Sequence, residues 1–477
     1  MKRPVRLALL ALACCVPLLA NDAAPPRVFI LSDIEADPDD TQSLVRLLLY
    51  SDCLDIEGLV ATTSTWKRTS VAPESMHAVI RAYAKVHPNL LQHDRRYPQP
   101  DALDALVKSG RPAYGMSGVG EGKDSEGSDW LIHVLDQNDE RPLWISIWGG
   151  ANTLAQALHK LRATRSAAEV DRLVAKLRVY TISDQDDSGP WLRKEFPNLF
   201  YIVTPGGDYG AATWSGINSV IDGIDNTTIS NRWIATHLQQ GHGPLGAAYP
   251  DVAWGVEGDT PSFLGLIPNG LNAPEHPDYG GWGGRYELHR PDVPVADPKT
   301  FIGGIPIPPE TRPIWTNAID TYAPPQTPAY GRATRPGEKT FRDFKTTLWR
   351  WRDDFQNDFA ARMDWTTKPY AEANHLPVPV LDHPAQLTVK SGEGFGLSAH
   401  RSSDPDGDSL SFYWFHYPEA GSYRQLVKID GAENATGAWV IAPKVEKPET
   451  LHFILRLTDK GSPALSRYQR VIVTVTP

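Results

Sequence analysis

The chain has 477 residues, of which 41% are hydrophobic and 22% are charged, and its formal net charge is −10. These values are typical of a soluble globular protein of about two or three domains. The acidic balance, without a basic stripe that could meet phosphates, excludes a nucleic-acid partner. The sequence has no Gly-x-Ser-x-Gly elbow, P-loop or Cys/His metal spacing, which disfavours Ser or Cys nucleophiles and NTP hydrolysis.

Residues 1–24 predict a secretory signal peptide, because a positive start and an apolar run precede small residues at Ala20–Ala24. The predicted location is therefore secreted or periplasmic. A lipoprotein anchor at Cys14 is disfavoured, since Ala11 stands where leucine is usual. After cleavage only Cys53 would remain, so we expect no intrachain disulfide. No later run reaches the ~20 apolar residues that a membrane span needs.

Apolar strand-like runs alternate with helical patterns across residues 25–289. Such alternation predicts an α/β domain with a parallel sheet and helices on both of its faces. Ligands of these sheets bind outside the carboxyl ends of the strands. The predicted strands are Arg27–Leu31, Ile56–Ala61, Leu143–Trp148, Leu177–Ile182 and Leu199–Val203, and the predicted helices include Thr41–Tyr50, Pro73–Val86, Ser128–Asp136, Thr153–Leu161 and Ala167–Lys176.

Two further regions follow the α/β domain. Residues 290–383 begin with a proline-rich connection that must be extended and irregular, and a helix over Lys339–Trp365 then presents an aromatic face to the α/β core. Residues 384–477 alternate polar and apolar residues, which predicts a small antiparallel β-sandwich. Within it, residues 404–408 (DPDGD) predict a turn, with a structural Ca²⁺ site as the alternative.

The first predicted strand runs directly into a turn with five carboxylates: Asp33, Glu35, Asp37, Asp39 and Asp40. Carboxylates this close repel one another unless a cation or several backbone N–H groups lie among them. Hard oxygen ligands favour Ca²⁺ or Mg²⁺ over zinc. The alternative is a solvated loop whose Asp side chains cap the next helix. Because no Lys or Arg interrupts the cluster, the pattern favours a metal site, with Ca²⁺ ahead of Mg²⁺.

Four motifs carry a resemblance to a known family: SDIEADPDD, TISDQDDSGPW, EGDTPSFLGLIPNGL and GGWGGRY. The chain resembles secreted bacterial proteins described as cellulose-binding, which join a nucleoside-hydrolase-like domain to a C-terminal Ig- or PKD-like β domain. Its acidic turn is similar to the Asp-x-Asp-Pro-Gly-x-Asp-Asp signature of the inosine-uridine preferring nucleoside hydrolase superfamily. Glu35 replaces the second Asp of that signature, and residues 36–38 depart from its Pro-Gly-x.

The resemblance implies roles for matching residues. Asp33 would bind the metal and take the proton from a metal-activated water, and Asp40 would be a second metal ligand. Asp259 and the backbone carbonyl of Asn152 would complete the metal site. Asp39 would hydrogen-bond the hydroxyls of the sugar. Asn152 and Asp259 each have an alternative role as the N-cap of a helix.

Further residues are candidates for the rim of a substrate pocket. Gln185 and Asp186 follow a predicted strand, and Trp66 lies in a loop where it could stack on a sugar. For each single aromatic residue, simple packing is the alternative. Other candidates in these loops are Asp187, Trp191, Trp214, Trp282 and Arg285.

Two departures from the resembled family bear on the substrate. Gly258 stands where many nucleoside hydrolases have a histidine that protonates the leaving group, and Thr65 and Trp66 stand near the place of a ribose-contacting asparagine. The first hypothesis is therefore a secreted Ca²⁺-dependent hydrolase of a glycosidic bond, N-glycosidic by resemblance. The alternative is a non-catalytic protein that binds cellulose or another plant-type polysaccharide. O-glycoside cleavage by a carboxylate pair is a third hypothesis.

Overall fold

A computed structural model describes residues 24–206, 209–292, 309–326, 335–336, 339–433 and 435–477. The predicted signal peptide lies outside these ranges except for its last residue, as does much of the proline-rich connection. Within the described ranges, none of the helices is long and apolar enough to cross a membrane.

Eight strands form the main sheet: β1 (Arg27–Ser32), β2 (Asp55–Ala61), β3 (Val107–Ser109), β4 (Leu143–Ile147), β5 (Leu177–Ser183), β6 (Phe200–Thr204), β7 (Tyr286–His289) and β8 (Ile314–Asn317). Their order is β3-β2-β1-β4-β5-β6-β8-β7. All neighbours are parallel except β7 and β8. Because the strand order reverses between β1 and β4, a crevice opens at their carboxyl ends, where ligands of such sheets bind.

Helices connect these strands and cover the sheet. They are α1 (Asp39–Leu49), α2 (Pro73–His93), α3 (Pro100–Asp104), α4 (Glu126–Asp136), α5 (Asn152–Thr164), α6 (Ala167–Lys176), α7 (Ser188–Glu195), α8 (Asn231–Ile234), α9 (Gly243–Ala248), α10 (Pro261–Leu264), α11 (Thr346–Trp349) and α12 (Arg352–Asp364).

The side chains of β1 show why this sheet is covered on both faces. Val28 and Ile30 belong to one hydrophobic core, and Phe29 and Leu31 belong to the other. All four are completely buried. Alternate residues of a strand point to opposite faces, so a strand that is apolar at every position needs a packed layer on each side. The predicted α/β fold class is confirmed.

The region between the two domains departs from its prediction in two places. Strand β8 lies in the segment expected to be irregular, where it joins the main sheet beside β6. The single helix predicted over Lys339–Trp365 is wrong in its first part, because β12 (Phe341–Asp343) pairs with β9 (Asp320–Tyr322). Strand pairing at a distance overrides the helical spacing of the aromatic residues. Residues 325–326 (β10) and 335–336 (β11) form another short pair.

The aromatic face of α11 and α12 packs on the α/β core as expected. Leu348, Trp351, Phe355 and Phe359 are at most 3% exposed and share the core that contains Val28. Helix α12 lies against α1, the helix that follows the acidic turn. The packing interpretation of these aromatic residues is therefore correct.

The C-terminal region consists of two facing sheets. Its strands are β13 (Gln386–Lys390), β14 (Gly394–Ser398), β15 (Ser411–His416), β16 (Ile429–Asp430), β17 (Gly437–Ile441), β18 (Glu449–Thr458) and β19 (Ser466–Thr476). One sheet has the order β13-β19-β18-β15 and the other β14-β17-β16. All pairs are antiparallel except β13 with β19. A separate core fills the space between the sheets, as in a β-sandwich.

The four-stranded sheet docks onto the α/β domain. Tyr468 of β19 is fully buried, and its hydroxyl group donates to Asp354 of α12. Its ring lies edge-on to Trp351, with 5.8 Å between centroids, and to Trp282 at 6.4 Å. Arg285 is likewise buried, in an ion pair with Asp320. Trp282 and Arg285 therefore serve packing and do not line a substrate pocket.

Residues 404–408 form the predicted turn. Asp404 Oδ1 accepts hydrogen bonds from the backbone N–H groups of Asp406 and Asp408, at 2.9 and 3.1 Å. Asp406 in turn accepts from the backbone N–H of His375, at 2.6 Å. These contacts tie the turn to the segment that enters the β-sandwich.

Candidate metal centre

Three carboxylates meet where the crevice between β1 and β4 opens. Asp39 and Asp40 begin α1, and Asp259 lies two residues before α10. One oxygen from each lies within 4.8 Å of the others, and in the described part of the chain this is the one such group of three or more His, Cys, Asp or Glu. Asp40 and Asp259 are buried, and Asp39 is partly exposed. Such a set of hard oxygen atoms fits a divalent cation.

Each of these three carboxyl groups has a pKa well above its ordinary value. Burial is the largest cause for each, because it disfavours the charged form. Neighbouring carboxylates raise the pKa of Asp259 further, through the charges of Asp39, Asp40, Asp33 and Asp37. A cation among these groups would remove the repulsion that raises their pKa values.

Hydrogen bonding also points to a ligand. Asp40 Oδ1 accepts from the hydroxyl group of Ser32, at 2.5 Å. Asp259 Oδ2 is buried, and none of the described residues donates a hydrogen bond to it. Buried polar atoms almost always have a partner. The residues present therefore fit a metal ion.

Asp33 lies beside this group of three but is not part of it. It follows β1 and is 3% exposed, and burial raises its pKa to about 7 although a hydrogen bond from Ser64 opposes the shift. Its charge still raises the pKa values of Asp40 and Asp259. A buried carboxyl group with a pKa near neutrality suits a general base.

The remaining carboxylates of the turn have other roles. Glu35 points outward, with Lys67 Nζ 3.1 Å from its carboxylate. Asp37 Oδ1 accepts from the backbone N–H of Asp39 at 3.0 Å, which is the one capping-type contact of the turn. Pro38 occupies the N-cap position of α1 without a side-chain cap. Of the five carboxylates of the turn, Asp39 and Asp40 therefore belong to the group of three, Asp33 is buried beside it, and Glu35 and Asp37 make structural contacts.

Gly258 explains how Asp39 reaches this group. A Cβ atom at position 258 would lie 2.6 Å from Asp39 Oδ2 and 3.2 Å from the Trp214 ring. The space that a side chain would need is therefore filled by the carboxylate of Asp39. A histidine at position 258, as in many nucleoside hydrolases, would therefore displace Asp39, a candidate metal ligand, from its present position.

Gly258→Ala is expected to lower the affinity for Ca²⁺ by about tenfold, the scale seen when groups supporting metal ligands are changed. The added methyl group pushes Asp39 away from Asp40 and Asp259. Calcium titration of the purified protein measures the effect. Gly265→Ala is the matched control, since a Cβ there would meet nothing closer than 3.6 Å. Equal affinities of the two variants would show that Asp39 is not a ligand.

Sequence reasoning missed the ion pair that holds the two halves of this group together. Arg46 of α1 is fully buried, and its Nε lies 2.5 Å from Glu257 Oε2. Glu257 has a left-handed backbone, with φ of 51°, and its Oε1 also accepts a hydrogen bond from the Tyr249 hydroxyl group at 2.8 Å. The pair links the helix of Asp39 and Asp40 to the loop of Asp259. The sequence gives no signal for this pair, because Arg46 and Glu257 are 211 residues apart in the chain.

Asn152 begins α5, and its side chain is fully engaged. Its Oδ1 accepts from the Thr62 hydroxyl at 2.6 Å, and its Nδ2 donates to Thr63 Oγ1 and to the carbonyl of Ala113. Ala151 takes the N-cap position, so the capping alternative for Asn152 is wrong. The capping alternative for Asp259 is also wrong, because the N-cap position of α10 is occupied by Thr260. The backbone-carbonyl role of Asn152 stays a prediction.

The predicted rim residues lie around the same crevice. Gln185 Nε2 donates to the carbonyl of Trp148 at the end of β4, at 2.6 Å. A Cβ on Gly149 would lie 2.7 Å from Asp33 Oδ1, and one on Gly150 would lie 2.3 Å from Asp186 Oδ2. Asp33 and Asp186 therefore lie close to consecutive glycines, and burial raises the pKa of Asp186 to about 6.

Trp66 lies on the loop after β2, and its indole is partly open to solvent. The residue is 45% exposed, and its backbone N–H donates to Ser64 Oγ at 2.9 Å. Ser64 is the residue whose side chain bonds Asp33. An exposed aromatic ring near a candidate base is a suitable stacking surface for a sugar.

The fold and the acidic crevice together define a nucleoside-hydrolase-like protein. Residues 27–286 match the family model "Cellulose-binding Sde182, nucleoside hydrolase-like domain", and residues 394–475 match "Cellulose-binding protein Sde0182, C-terminal domain". The chain belongs to this family, which confirms the resemblance seen in its motifs.

One solved structure is similar over nearly the whole chain. It is a nucleoside hydrolase-related hypothetical protein from Saccharophagus degradans, described as associated with carbohydrate metabolism. The match has 37% identity and a TM-score of 0.79 and covers 95% of this chain and 100% of that chain. The effector protein XOO4466 matches at 12% identity with a TM-score of 0.28, over 61% of this chain and 87% of that chain. Among curated proteins, none matches the sequence.

Proposed function

We propose that the crevice between β1 and β4 binds Ca²⁺ and hydrolyses a glycosidic bond of a sugar-containing molecule. The observation that carries this proposal is the group of Asp39, Asp40 and Asp259, with a buried oxygen that no described residue satisfies. Asp33 lies beside the group with a pKa raised to about 7. A nucleoside-hydrolase-like fold supports the same reaction class.

Each residue of the crevice has a distinct role in the proposed reaction. Bound Ca²⁺ would orient a water molecule and lower its pKa. Asp33 accepts the proton of the attacking water, and the surrounding carboxylates stabilise the positive charge that develops on the sugar. Asp39 is partly exposed and can also accept hydrogen bonds from sugar hydroxyls. Trp66, which is exposed, would stack on the sugar, and the buried polar groups of Gln185 and Asp186 would help to orient it.

The leaving group distinguishes this site from a nucleoside hydrolase with a catalytic histidine. Gly258 supplies no acid, and Asp39 fills the space that a side chain would need. A purine base is a poor leaving group unless an acid protonates it. A nitrophenol group, in contrast, can leave as the nitrophenolate anion without protonation. The site therefore favours N-glycosides or aryl glycosides whose leaving groups need little protonation.

The test is hydrolysis of a panel of nucleosides and p-nitrophenyl glycosides by the mature protein. We expect turnover in Ca²⁺ that is lost in chelator and restored when Ca²⁺ is returned, with nitrophenyl substrates faster than inosine. Release of nitrophenolate or of free base measures the rate. Turnover that persists in chelator would overturn the metal-dependent mechanism.

The second candidate is a protein that binds polysaccharide without cleaving it. It is favoured by the missing acid at Gly258 and by the family, whose members are described as cellulose-binding. Absence of turnover on the whole panel, with Ca²⁺ still bound, would favour this candidate. In either case we propose that the predicted signal peptide directs the protein out of the cytoplasm.

A further inference from the structure

The three-stranded sheet of the C-terminal region has an unusual outer face. Its central strand, β17, turns Ala438 and Val440 into the core and turns Trp439 and Ile441 outward. Trp439 is 50% exposed and Ile441 is 54% exposed. The other sheet of the sandwich contacts the α/β domain through Tyr417 and Tyr468, so this face looks away from that interface.

The indole of Trp439 lies along the neighbouring strand β14. A Cβ on Gly394 would lie 2.4 Å from Trp439 Cζ2, and one on Gly396 would lie 3.8 Å from Trp439 Cε3. These two atoms are on opposite sides of the six-membered ring, so the ring covers both glycines. The absence of side chains at 394 and 396 lets the indole lie flat on the sheet, with its other face open to solvent.

Polar groups border the other side of this ring. Asp430 of β16 is the cross-strand partner of Trp439, and Lys428 Nζ lies 2.6 Å from its carboxylate. Both side chains are more than half exposed. The centre of the face is apolar, and the Asp430–Lys428 pair beside it is polar but contributes no net charge. This charge balance suits a neutral partner rather than an anionic or cationic one.

We propose that this face, defined by Trp439, Ile441, Gly394, Gly396 and Asp430, binds the sugar rings of a β-1,4-linked glucan. In such a chain all ring substituents are equatorial, so each sugar presents a flat C–H surface that can stack on an indole. The equatorial hydroxyl groups project sideways, where Asp430 and Lys428 can form hydrogen bonds with them. The inference rests on the polysaccharide-binding candidate above and assigns that binding to a surface remote from the acidic crevice.

Retention of the full mature chain on microcrystalline cellulose tests this assignment. Trp439→Ala is expected to weaken binding by about tenfold or more, because truncating a central aromatic contact has effects of that size. Trp254→Ala is the matched control, since Trp254 is 90% exposed but lies in the α/β domain. We expect the control to bind as the unmodified protein does.

A second variant distinguishes stacking of the indole on a sugar from non-specific adsorption of the protein to cellulose. Gly394→Ala keeps the tryptophan but places a methyl group where the ring lies, so the indole must tilt off the sheet. We expect this variant also to lose retention while its melting temperature stays close to that of the unmodified protein. Unchanged binding of both variants, or no retention of the unmodified protein on cellulose, would overturn the assignment. Neither result would alter Ca²⁺-dependent turnover, so failure here is distinguishable from failure of the proposed hydrolase.

Discussion

Arg46→Ala is expected to lower the free energy of unfolding by about 3–5 kcal/mol, the cost of leaving one partner of a buried ion pair without the other. Arg46 is completely buried and bonds Glu257 through two nitrogen atoms, at 2.5 and 3.1 Å. It also donates to the carbonyl of Phe355 at 3.1 Å. Because α1 carries Asp39 and Asp40, we expect Ca²⁺ affinity to fall together with stability. Chemical denaturation and calcium titration measure the two effects.

Arg362→Ala is the control for this variant. Arg362 is also buried and pairs with Asp52 at 2.8 Å and with Asp358 at 3.0 Å, but these contacts do not involve the loop of Asp259. We expect a similar loss of stability with unchanged Ca²⁺ affinity at temperatures where the variant is folded. If the two arginine variants bound Ca²⁺ equally well, the ion pair of Arg46 would have no role in holding the metal group together.

Asp33→Asn is expected to reduce turnover by about 10²–10⁴-fold, the usual contribution of a general base. Asparagine has nearly the shape of aspartate but cannot take the proton of the attacking water. Since the proposed Ca²⁺ ligands Asp39, Asp40 and Asp259 come together without Asp33, we expect the variant to bind one Ca²⁺ per chain. The measurements are kcat on a substrate found active in the glycoside panel and the calcium content of the same sample.

Glu35→Gln provides the comparison for Asp33→Asn. Glu35 belongs to the same turn but pairs with Lys67 at the surface. We therefore expect kcat of Glu35→Gln to stay within about twofold of the value for the unmodified protein, as is typical of surface changes. Full activity of Asp33→Asn would refute the assigned base. Loss of calcium from Asp33→Asn would instead make Asp33 a ligand, as its resemblance to the family implies.

The sequence allowed the main sheet and an acidic candidate metal site after β1 to be predicted for local reasons, although the resemblance gave Asp39 a sugar-binding role and not a place among the metal ligands. Val28–Leu31 is apolar at every position, which indicates a strand buried on both faces, and the acidic turn follows it at once. Asp39 and Asp40 lie next to each other in the chain, so their proximity needed no knowledge of the fold. Asp259 could be connected with them only through the resemblance of its motif.

What could not be predicted depends on partners that are distant in the chain. The Arg46–Glu257 pair joins residues 211 positions apart, and the contact between Gly258 and Asp39 appears only once two loops meet. The break in the predicted helix at 339–365 arises from pairing of β12 with β9, which helical spacing cannot reveal. Trp282 and Trp66 are both tryptophans in predicted loops, yet Trp282 is buried and Trp66 is 45% exposed.

The most direct test of the central claim is the metal content and melting temperature of the mature protein, before and after chelation, for the unmodified chain and for Asp40→Ala. We predict one Ca²⁺ per chain, a lower melting temperature in chelator, and recovery when Ca²⁺ is returned. Ligand binding at 100 times Kd stabilises a fold by about 2.7 kcal/mol, so the shift should be measurable. Asp40→Ala should lack the ion and the shift. An unmodified protein without bound metal, whose melting does not respond to Ca²⁺, would contradict the account.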